Sequence, residues 1–152
     1  MSTIASWFPA GTATNWEYVA IFSLNQTTNT RFYVGFEADN AGLHPNDGIW
    51  LRYDTNATFA DTAFKVETCV GGVCTVGATT FAVDTAFHKI DIKSTSAGSI
   101  IFTFDGGTPE TISTNITAIS MDPFVLCGND TTASLSFAKV NFAALSITGL
   151  AR

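Results

Sequence analysis

Residues 31–54 read RFYVGFEADNAGLHPNDGIWLRYD, and this stretch decides the fold because it contains two strand patterns joined by one loop. Residues 31–39 and residues 49–54 place apolar side chains at every second position. An apolar period of two is typical of strands that bury one face. The loop holds the turn-forming residues 44–48. The stretch therefore predicts two strands that lie next to each other in one sheet.

Strand patterns of this kind recur along the chain of 152 residues and are separated by turns. No stretch keeps the 3.6-residue apolar period of an amphipathic helix. About a dozen short strands are too many for one flat sheet, and two packed sheets are the usual solution. The predicted fold class is all-β, a two-sheet antiparallel β-sandwich (jelly roll), in a single domain over residues 1–152. The other patterns lie at residues 4–8, 16–24, 64–70, 73–76, 79–83, 87–92, 99–104, 110–112, 116–120, 124–128 and 135–147.

Composition agrees with a β fold and excludes two kinds of partner. Charged residues make up 13% of the chain, about half of the usual ~25%, whereas helical surfaces usually carry many Lys and Glu. The net charge is −6 and the seven Lys and Arg residues are scattered. We therefore expect no nucleic-acid partner, because phosphate contacts dominate that affinity. We also expect no membrane insertion, since no apolar run approaches the ~18 residues that span a bilayer.

Several segments, taken in order, resemble the concanavalin A-like lectin/glucanase (LamG-like) jelly roll, especially the versions found in phage tail and virion surface proteins. They are residues 31–36, 47–54, 87–92, 101–107 and 111–116. The family usually has Trp where Phe87 stands, and a hydrophobic-Asp-Gly turn where Phe104-Asp105-Gly106 stands. The resemblance implies a concanavalin A-like sandwich in which a sheet face or rim loops hold carbohydrate. It also implies a virion-surface or extracellular location.

The alternation in residues 31–39 and 49–54 also predicts a binding face. If Phe32, Val34 and Phe36 point to the core, the intervening side chains point outward. We expect these outward side chains to be exposed, so that aromatic rings stack on sugar faces and charged groups bond to hydroxyls. The alternative is that a loop or a neighbouring chain covers the two aromatic rings. The predicted ligand-binding residues are Arg31, Tyr33, Glu37, Trp50, Arg52 and Asp54.

Catalytic patterns are weak in this sequence. The enzymes of the resembled family carry Glu-x-Asp-x-x-Glu on a central strand, where two carboxylates act as nucleophile and acid/base. The nearest match begins at Glu37 and Asp39, but Gly42 replaces the third carboxylate. The chain also lacks a Gly-x-Ser-x-Gly motif, a phosphate-binding loop and a zinc-type His/Cys spacing. We therefore expect a protein that is not an enzyme.

Cysteine spacing predicts one crosslinked hairpin. Gly71-Gly72 lies between two β-rich runs and suits a two-residue turn that needs positive φ. In that register Cys69 lies opposite Cys74, with Cα atoms ~4.5 Å apart, at the short end of disulfide geometry. A Cys69–Cys74 disulfide is one interpretation, and two reduced thiols on an exposed hairpin is the other. Cys127 lies in an apolar run and is interpreted as a buried thiol.

The loop between the two strand patterns also offers oxygen ligands. Asp39, Asn40 and Asp47 could bind Ca²⁺, which prefers carboxylate and amide oxygens. The same residue types are ordinary turn formers, which is the alternative interpretation. An unchanged melting temperature on addition of EDTA would argue against the metal.

The leading functional hypothesis is a non-catalytic, carbohydrate-binding, lectin-like domain of a phage or viral surface or tail protein, with a glycan or polysaccharide as its partner. The first alternative is a structural virion decoration module whose faces pack on neighbouring chains as a homo-oligomer. The second alternative is a glycoside hydrolase. A glycan array, a measurement of molar mass in solution and a reducing-sugar assay separate the three.

Overall fold

A computed structural model describes residues 12–38, 44–129 and 138–147, and only the backbone of the last range. These residues form ten strands, paired into two antiparallel five-stranded sheets of order β10-β1-β6-β7-β8 and β5-β4-β3-β2-β9. No helix that could cross a membrane occurs within those ranges. The strands are β1 (Trp16–Leu24), β2 (Thr30–Glu37), β3 (Gly48–Asp54), β4 (Phe64–Val70), β5 (Val73–Phe81), β6 (His88–Ser96), β7 (Ser99–Phe104), β8 (Glu110–Ile112), β9 (Asp122–Asn129) and β10 (Ala138–Ile147).

The core lies between the two sheets and is built by alternate side chains, as the period of two predicts. Trp16 of β1 meets Phe36 of β2 edge to face, with ring centroids 5.3 Å apart. Phe22 of β1 similarly packs on Phe32 of β2 at 4.6 Å. These aromatic contacts join strands of opposite sheets, so they hold the sandwich closed. The predicted all-β jelly-roll sandwich is confirmed.

The β2–β3 pair has the predicted arrangement. Its register sets Tyr33 opposite Arg52, and Gly35 opposite Trp50. Gly35 has φ 153°, and a Cβ there would lie 2.2 Å from the carbonyl oxygen of Ile49. Only glycine allows the two backbones to approach so closely. The pair therefore brings the two predicted runs side by side.

The hairpin between β4 and β5 turns at Gly71-Gly72, as predicted. Both glycines have positive φ, 57° and 79°, and Cys69 pairs with Cys74. Farther along, the single strand β5 contains residues from two runs, 73–76 and 79–83, that the sequence predicted as separate strands. The break between them is a bulge, because residues 77–79 face only Val66 of β4. A Cβ at Gly77 would lie 2.6 Å from a methyl carbon of Val66.

Two other strand predictions differ from the structure or lie outside the part it describes. Residues 116–120 form no strand, although Ile116 packs against the core and Thr117 is buried. Only the start of the segment lies against the core, since Ile119 is 56% exposed, and such short runs cannot be told from strands by pattern alone. Residues 4–8 and 135–137 lie outside the described residues.

Candidate functional site

The outward face of the sheet β5-β4-β3-β2-β9 is buried instead of exposed. Tyr33, Trp50 and Cys69 point away from the main core and form a second apolar cluster with no solvent exposure. Phe124 and Leu126 of the edge strand β9 pack against this cluster. The sheet is therefore covered on both sides, and its outward layer is called the outer cluster below.

The prediction of an exposed ligand-binding patch is wrong for four of its six residues. The side chains do point away from the core, but Tyr33 and Trp50 are 0% exposed, Asp54 is 1% exposed and Arg52 is 4% exposed. Arg31, near one end of β2, and Glu37, at the other, are partly buried. Alternation shows which side chains share a face, whereas exposure depends on what packs over that face.

The cover over Trp50 comes from several directions. The ring of Phe124 meets the indole edge to face at 6.0 Å, and the ring of His44 does so at 5.5 Å. The indole also lies over Gly48 of its own strand, where a Cβ would come within 2.1 Å of Cζ3 of Trp50. His44 belongs to the β2–β3 loop. A loop therefore covers this aromatic ring, as the alternative interpretation of the sequence predicted.

Arg52 is the centre of a buried charge network beneath that cover. Its Nη1 donates to both carboxylate oxygens of Glu67, at 2.7 and 2.8 Å. Its Nε donates to Asp61 at 3.0 Å, and the guanidinium carbon lies 4.3 Å from the ring centre of Phe59. Burial alone would lower the pKa of Arg52, but the charge of Glu67 and the hydrogen bond to Asp61 outweigh it and raise the pKa. Lys65 adds a second cation, 2.8 Å from Asp61.

Glu67 accepts hydrogen bonds from three directions. Besides Arg52, it accepts from the indole Nε1 of Trp50 at 2.9 Å and lies 3.3 Å from Nε2 of His44. Burial would raise the pKa of Glu67, but the bond to His44, the charge of Arg52 and the bond from Trp50 outweigh it and hold this pKa below its usual value. His44 in turn stacks on Phe59, with ring centroids 4.8 Å apart. Glu67 is thus a fixed anion under an aromatic cover.

A second polar group lies farther along the same face. The hydroxyl of Tyr33 donates to Oδ2 of Asp54 at 2.9 Å, and Nε of Arg31 lies 3.4 Å from the same oxygen. Burial and the neighbouring Asp54 carboxylate raise the pKa of Tyr33. Five of the six predicted residues therefore lie close together on one face. Glu37 lies at the other end of β2, paired with Gly48 and Asp122.

Sequence reasoning missed several members of the network. Glu67 and Lys65 alternate with core residues on β4, and the β3–β4 register sets Glu67 opposite Trp50. That register was the signal that could have placed Glu67 beside the predicted face. No comparable signal existed for the loop residues, whose positions depend on tertiary packing. The missed residues are His44, Phe59, Asp61, Lys65 and Glu67.

The predicted calcium ligands are only partly within the described residues. Asp39 and Asn40 lie outside them. Asp47 uses its side-chain Oδ1 to accept from the backbone N–H of Gly71 at 3.1 Å. The carbonyl of Asn46 accepts from Gly72 at 2.8 Å, so this loop is fastened to the β4–β5 turn. Ca²⁺ binding stays a prediction, which melting with and without EDTA would test.

The β4–β5 hairpin brings sulfur close to this network. Cys69 and Cys74 are joined by a disulfide, with Cα atoms 4.1 Å apart. One ligand atom from each of four residues lies within 4.8 Å of all the others. The four residues are His44, Glu67, Cys69 and Cys74.

Comparisons with known proteins support the architecture alone. No family model and no curated protein sequence matches the chain. Among solved structures, it is similar to galectin-Ib of Xenopus laevis, with a TM-score of 0.59, 9% identity and coverage of 88% of this chain and 92% of that chain. The chain folds as a lectin-type jelly-roll sandwich.

Two further structures show how widely this lectin-type sandwich is used. The carbohydrate-binding module CBM66 of Bacillus subtilis has a TM-score of 0.57 at 12% identity, covering 88% of this chain and 75% of that chain. Alginate lyase A1-II′ has a TM-score of 0.62 at 11% identity, covering 97% of this chain and 66% of that chain. One sandwich therefore serves binding proteins and a lyase, and function has to be argued from the site.

Proposed function

We propose that the chain is a non-catalytic carbohydrate-binding domain and that the sugar binds at the outer cluster. The observation that carries the proposal is the buried Arg52–Glu67–Asp61 network on the face of the sheet that points away from the core. Buried ion pairs are costly to desolvate, and apolar residues of similar volume often stabilise a protein equally well or better. A sandwich that already has an apolar core does not need this network for folding. The presence of this network on the outward face supports a binding role.

The chemistry of the outer cluster suits a sugar. Trp50, Phe59 and His44 supply ring faces, which pack on the apolar faces of pyranose rings. Arg52 and Glu67 supply planar donors and acceptors in a fixed geometry, which suits paired hydroxyl groups. Ligand sites commonly combine an aromatic lining with a few fixed polar groups. The galectin and the carbohydrate-binding module among the structural neighbours support the same class of ligand.

Access to the cluster depends on its outermost side chains. His44 has 23% of its side chain exposed, whereas Glu67 below it has 2%. Phe59, stacked on His44, is also partly exposed. We infer that the His44–Phe59 pair moves aside when a sugar enters, and that Arg52 and Glu67 then bond to hydroxyl groups. The pair therefore forms the rim of the proposed site.

The same electrostatics argue against hydrolysis. A glycoside hydrolase needs one carboxylic acid with a raised pKa as its proton donor. The pKa of Glu67 is instead lowered, because hydrogen bonds and the charge of Arg52 favour its anion. Asp61 is likewise paired with Arg52 and Lys65. We therefore propose binding without catalysis, and a reducing-sugar assay on β-glucans is expected to show no product.

A glycan array followed by titration calorimetry tests the proposal. Phe59→Ala removes a rim side chain, and we expect the affinity for the best glycan to fall about tenfold, which equals 1.4 kcal/mol. The matched control is Phe87→Ala, which removes an aromatic ring that is 51% exposed outside the cluster. Equal affinity of both variants and the unmodified chain, or no glycan binding at all, would contradict the proposal.

The biological setting that we propose is attachment of a phage or virus to host glycans. It rests on the sequence resemblance to virion surface domains. None of the three structural neighbours described above is named as a viral protein. The sequence of the parent gene and its neighbours is the direct test, and genes for virion assembly beside it would support the setting.

A further inference from the structure

We propose that the β4–β5 hairpin forms a site for a thiophilic divalent ion such as Zn²⁺ when its disulfide is reduced. The ligand atoms are one nitrogen, one carboxylate oxygen and two sulfurs, a set that suits Zn²⁺. This proposal does not rest on the proposed carbohydrate binding, but the two sites overlap, because His44 and Glu67 also belong to the proposed sugar site. Its ligands are His44, Glu67, Cys69 and Cys74.

The four ligand atoms already lie within 4.8 Å of one another. Around a tetrahedral zinc ion, with bonds of 2.0–2.3 Å, ligand atoms lie about 3.3–3.8 Å apart. The ligand atoms that lie farthest apart therefore need to approach by about 1 Å, whereas the two sulfurs, bonded to each other in the disulfide, move apart to about 3.8 Å after reduction. Side-chain rotations provide both changes. No rearrangement of the sheet is required, because Cys69 and Glu67 are two residues apart on one face of β4.

The backbone holds His44 near the cysteines. The loop that carries His44 is fastened to the β4–β5 turn by the hydrogen bond from Gly72 to the carbonyl of Asn46 and by the bond from Gly71 to the carboxylate of Asp47. That turn belongs to the same hairpin as both cysteines. These bonds do not involve the disulfide, so they are expected to persist after reduction. The reduced hairpin therefore keeps the nitrogen ligand in place.

Neighbouring groups already orient the oxygen ligand. Glu67 accepts hydrogen bonds from Trp50 and Arg52, which fix the plane of its carboxylate. Metal ligands are commonly held by such outer contacts. The positive charge of Arg52 would oppose a cation, but Asp61 pairs with this guanidinium. The charges of Glu67 and Asp61 are balanced by those of Arg52 and Lys65, so the two thiolates supply the two negative charges that match an ion of charge +2.

Reduction converts the crosslink into two ligands. A dithiol reductant donates two electrons and two protons, is itself oxidised to a disulfide, and leaves Cys69 and Cys74 as thiols. The ion then binds as the two thiols lose their protons, because the thiolate is the metal ligand. Cys74 is partly exposed whereas Cys69 is buried, so the incoming thiolate is expected to attack Cys74. The hairpin thus holds a disulfide under oxidising conditions and an ion under reducing conditions.

Cobalt is the probe that tests the site, because Co²⁺ bound by thiolates in tetrahedral geometry absorbs strongly. The full chain is reduced with a phosphine under argon, and Co²⁺ is added to the reduced and oxidised forms. In the reduced form we expect a thiolate-to-cobalt absorption band that saturates at one Co²⁺ per chain and disappears when Zn²⁺ is added. In the oxidised form we expect no such band. Equal spectra for the two forms would overturn the proposal.

Variants separate these ligands from other thiols. Cys74→Ser is expected to abolish the full two-thiolate spectrum, whereas Cys127→Ser, the matched control, is expected to keep it. His44→Gln should weaken Co²⁺ binding by at least about tenfold, since even the loss of an outer contact to a metal ligand costs 10–100-fold. An unchanged spectrum and affinity in Cys74→Ser would overturn the site. Circular dichroism of the reduced chain is recorded alongside the titration. Unfolding of the chain on reduction would also overturn the proposed site, because the site requires the paired strands β4 and β5.

Discussion

The two faces of the sheet β5-β4-β3-β2-β9 are both buried, but their chemistry differs. All seven residues of β3 are buried, so this strand shows the contrast directly. Ile49, Leu51 and Tyr53 point into the main core, while the alternate side chains Trp50, Arg52 and Asp54 point into or beside the outer cluster. The inward face gains stability from packing. The outward face keeps charges away from water, which packing alone does not require.

One strand can therefore place side chains of different chemistry on its two buried faces, and the proposed binding site uses only the outward one. On the inward face, side chains of about the right size and shape are interchangeable. On the outward face, each charge needs its partner, because an unpaired buried charge is very costly. Substitutions on the two faces should therefore behave differently when they are combined. The predictions below test this difference, beginning with the largest effect.

The largest expected effect is that of Arg52→Ala. It leaves Glu67 and Asp61 buried without their shared cation, so we expect the free energy of unfolding to fall by about 3–5 kcal/mol. For a chain of this size, that corresponds to a melting temperature lower by about 10 °C. Differential scanning calorimetry measures both quantities. A loss below about 1 kcal/mol, typical of exposed pairs, would show that the network is solvated.

The control for Arg52→Ala is a combined variant with Arg52→Met, Glu67→Gln and Asp61→Asn. It removes these three charges and keeps similar volumes, and Lys65, the second cation beside Asp61, can remain solvated because 27% of its side chain is exposed, so we expect most of the lost stability to return. The same variant is expected to lose carbohydrate binding under the proposed function. Leu51→Ala on the inward face should cost about 2–5 kcal/mol by leaving a cavity. No change of charge elsewhere would recover that loss.

The sequence predicted the inward face better than the outward one. The period of two in β2 and β3 assigned Phe32 and Leu51 to the core, and this depends only on strand geometry. Whether Trp50 is exposed depends on the residues that pack over it, among them His44 and Phe124. Phe124 is distant in sequence and His44 lies in the loop before β3, and nothing in the alternation indicates that either covers the sheet. The outward-pointing side chains of β2 and β3 were therefore identified, but their burial and most of the charge network around Arg52 were not.

Gly48→Ala tests whether the indole is fixed on the outward face. An added Cβ would lie 2.1 Å from Cζ3 of Trp50 and 2.4 Å from the carbonyl oxygen of Phe36. Moving the indole relieves only the first contact, so the β2 backbone must shift as well, and we expect the free energy of unfolding to fall by at least about 1–3 kcal/mol. Denaturant titration measures it, and tryptophan fluorescence should shift toward that of a more exposed indole.

Gly128→Ala is the matched control for that substitution. Gly128 lies in β9 of the same sheet, and a Cβ there would meet no atom within 4 Å. This substitution is expected to change the free energy of unfolding by no more than about 0.5 kcal/mol. If the two alanine variants were equally stable, both the indole and the β2 backbone beside it would have to be mobile, and the outer cluster would not be a rigid site.

Tyr33→Phe tests the hydrogen bond at the far end of the outward face. It removes the hydroxyl that donates to Asp54 at 2.9 Å, and we expect a loss of about 1–2 kcal/mol because the acceptor is a buried carboxylate. On β1 of the opposite sheet, burial raises the pKa of Tyr18 to about 12, and its ring packs on Phe36 of the inward face at 5.1 Å. Tyr18→Phe keeps that packing and should cost less. If urea denaturation gave the same loss of unfolding free energy for both variants, the hydrogen bond of Tyr33 would contribute no more to stability than the hydroxyl of Tyr18.

The smallest expected effect is on the acid limb of stability. The pKa of Glu67 is lowered in the folded chain, so its anion adds stability above the usual pKa of about 4.3. That stability is lost as the pH falls through the lowered value, because the unfolded chain takes up the proton first. Glu67→Gln should therefore flatten the fall in unfolding free energy below pH ~4.3, by at most about 1.4 kcal/mol per pH unit.

Glu17→Gln, at an exposed position on β1, removes one charge of the same sign and controls for net charge. Since the chain has 13 acidic residues, the difference between these two variants, and not the slope of either, isolates Glu67. Parallel acid limbs would mean that the carboxylate is no more stabilised by folding than an exposed one, and the outward face would then lack its fixed anion.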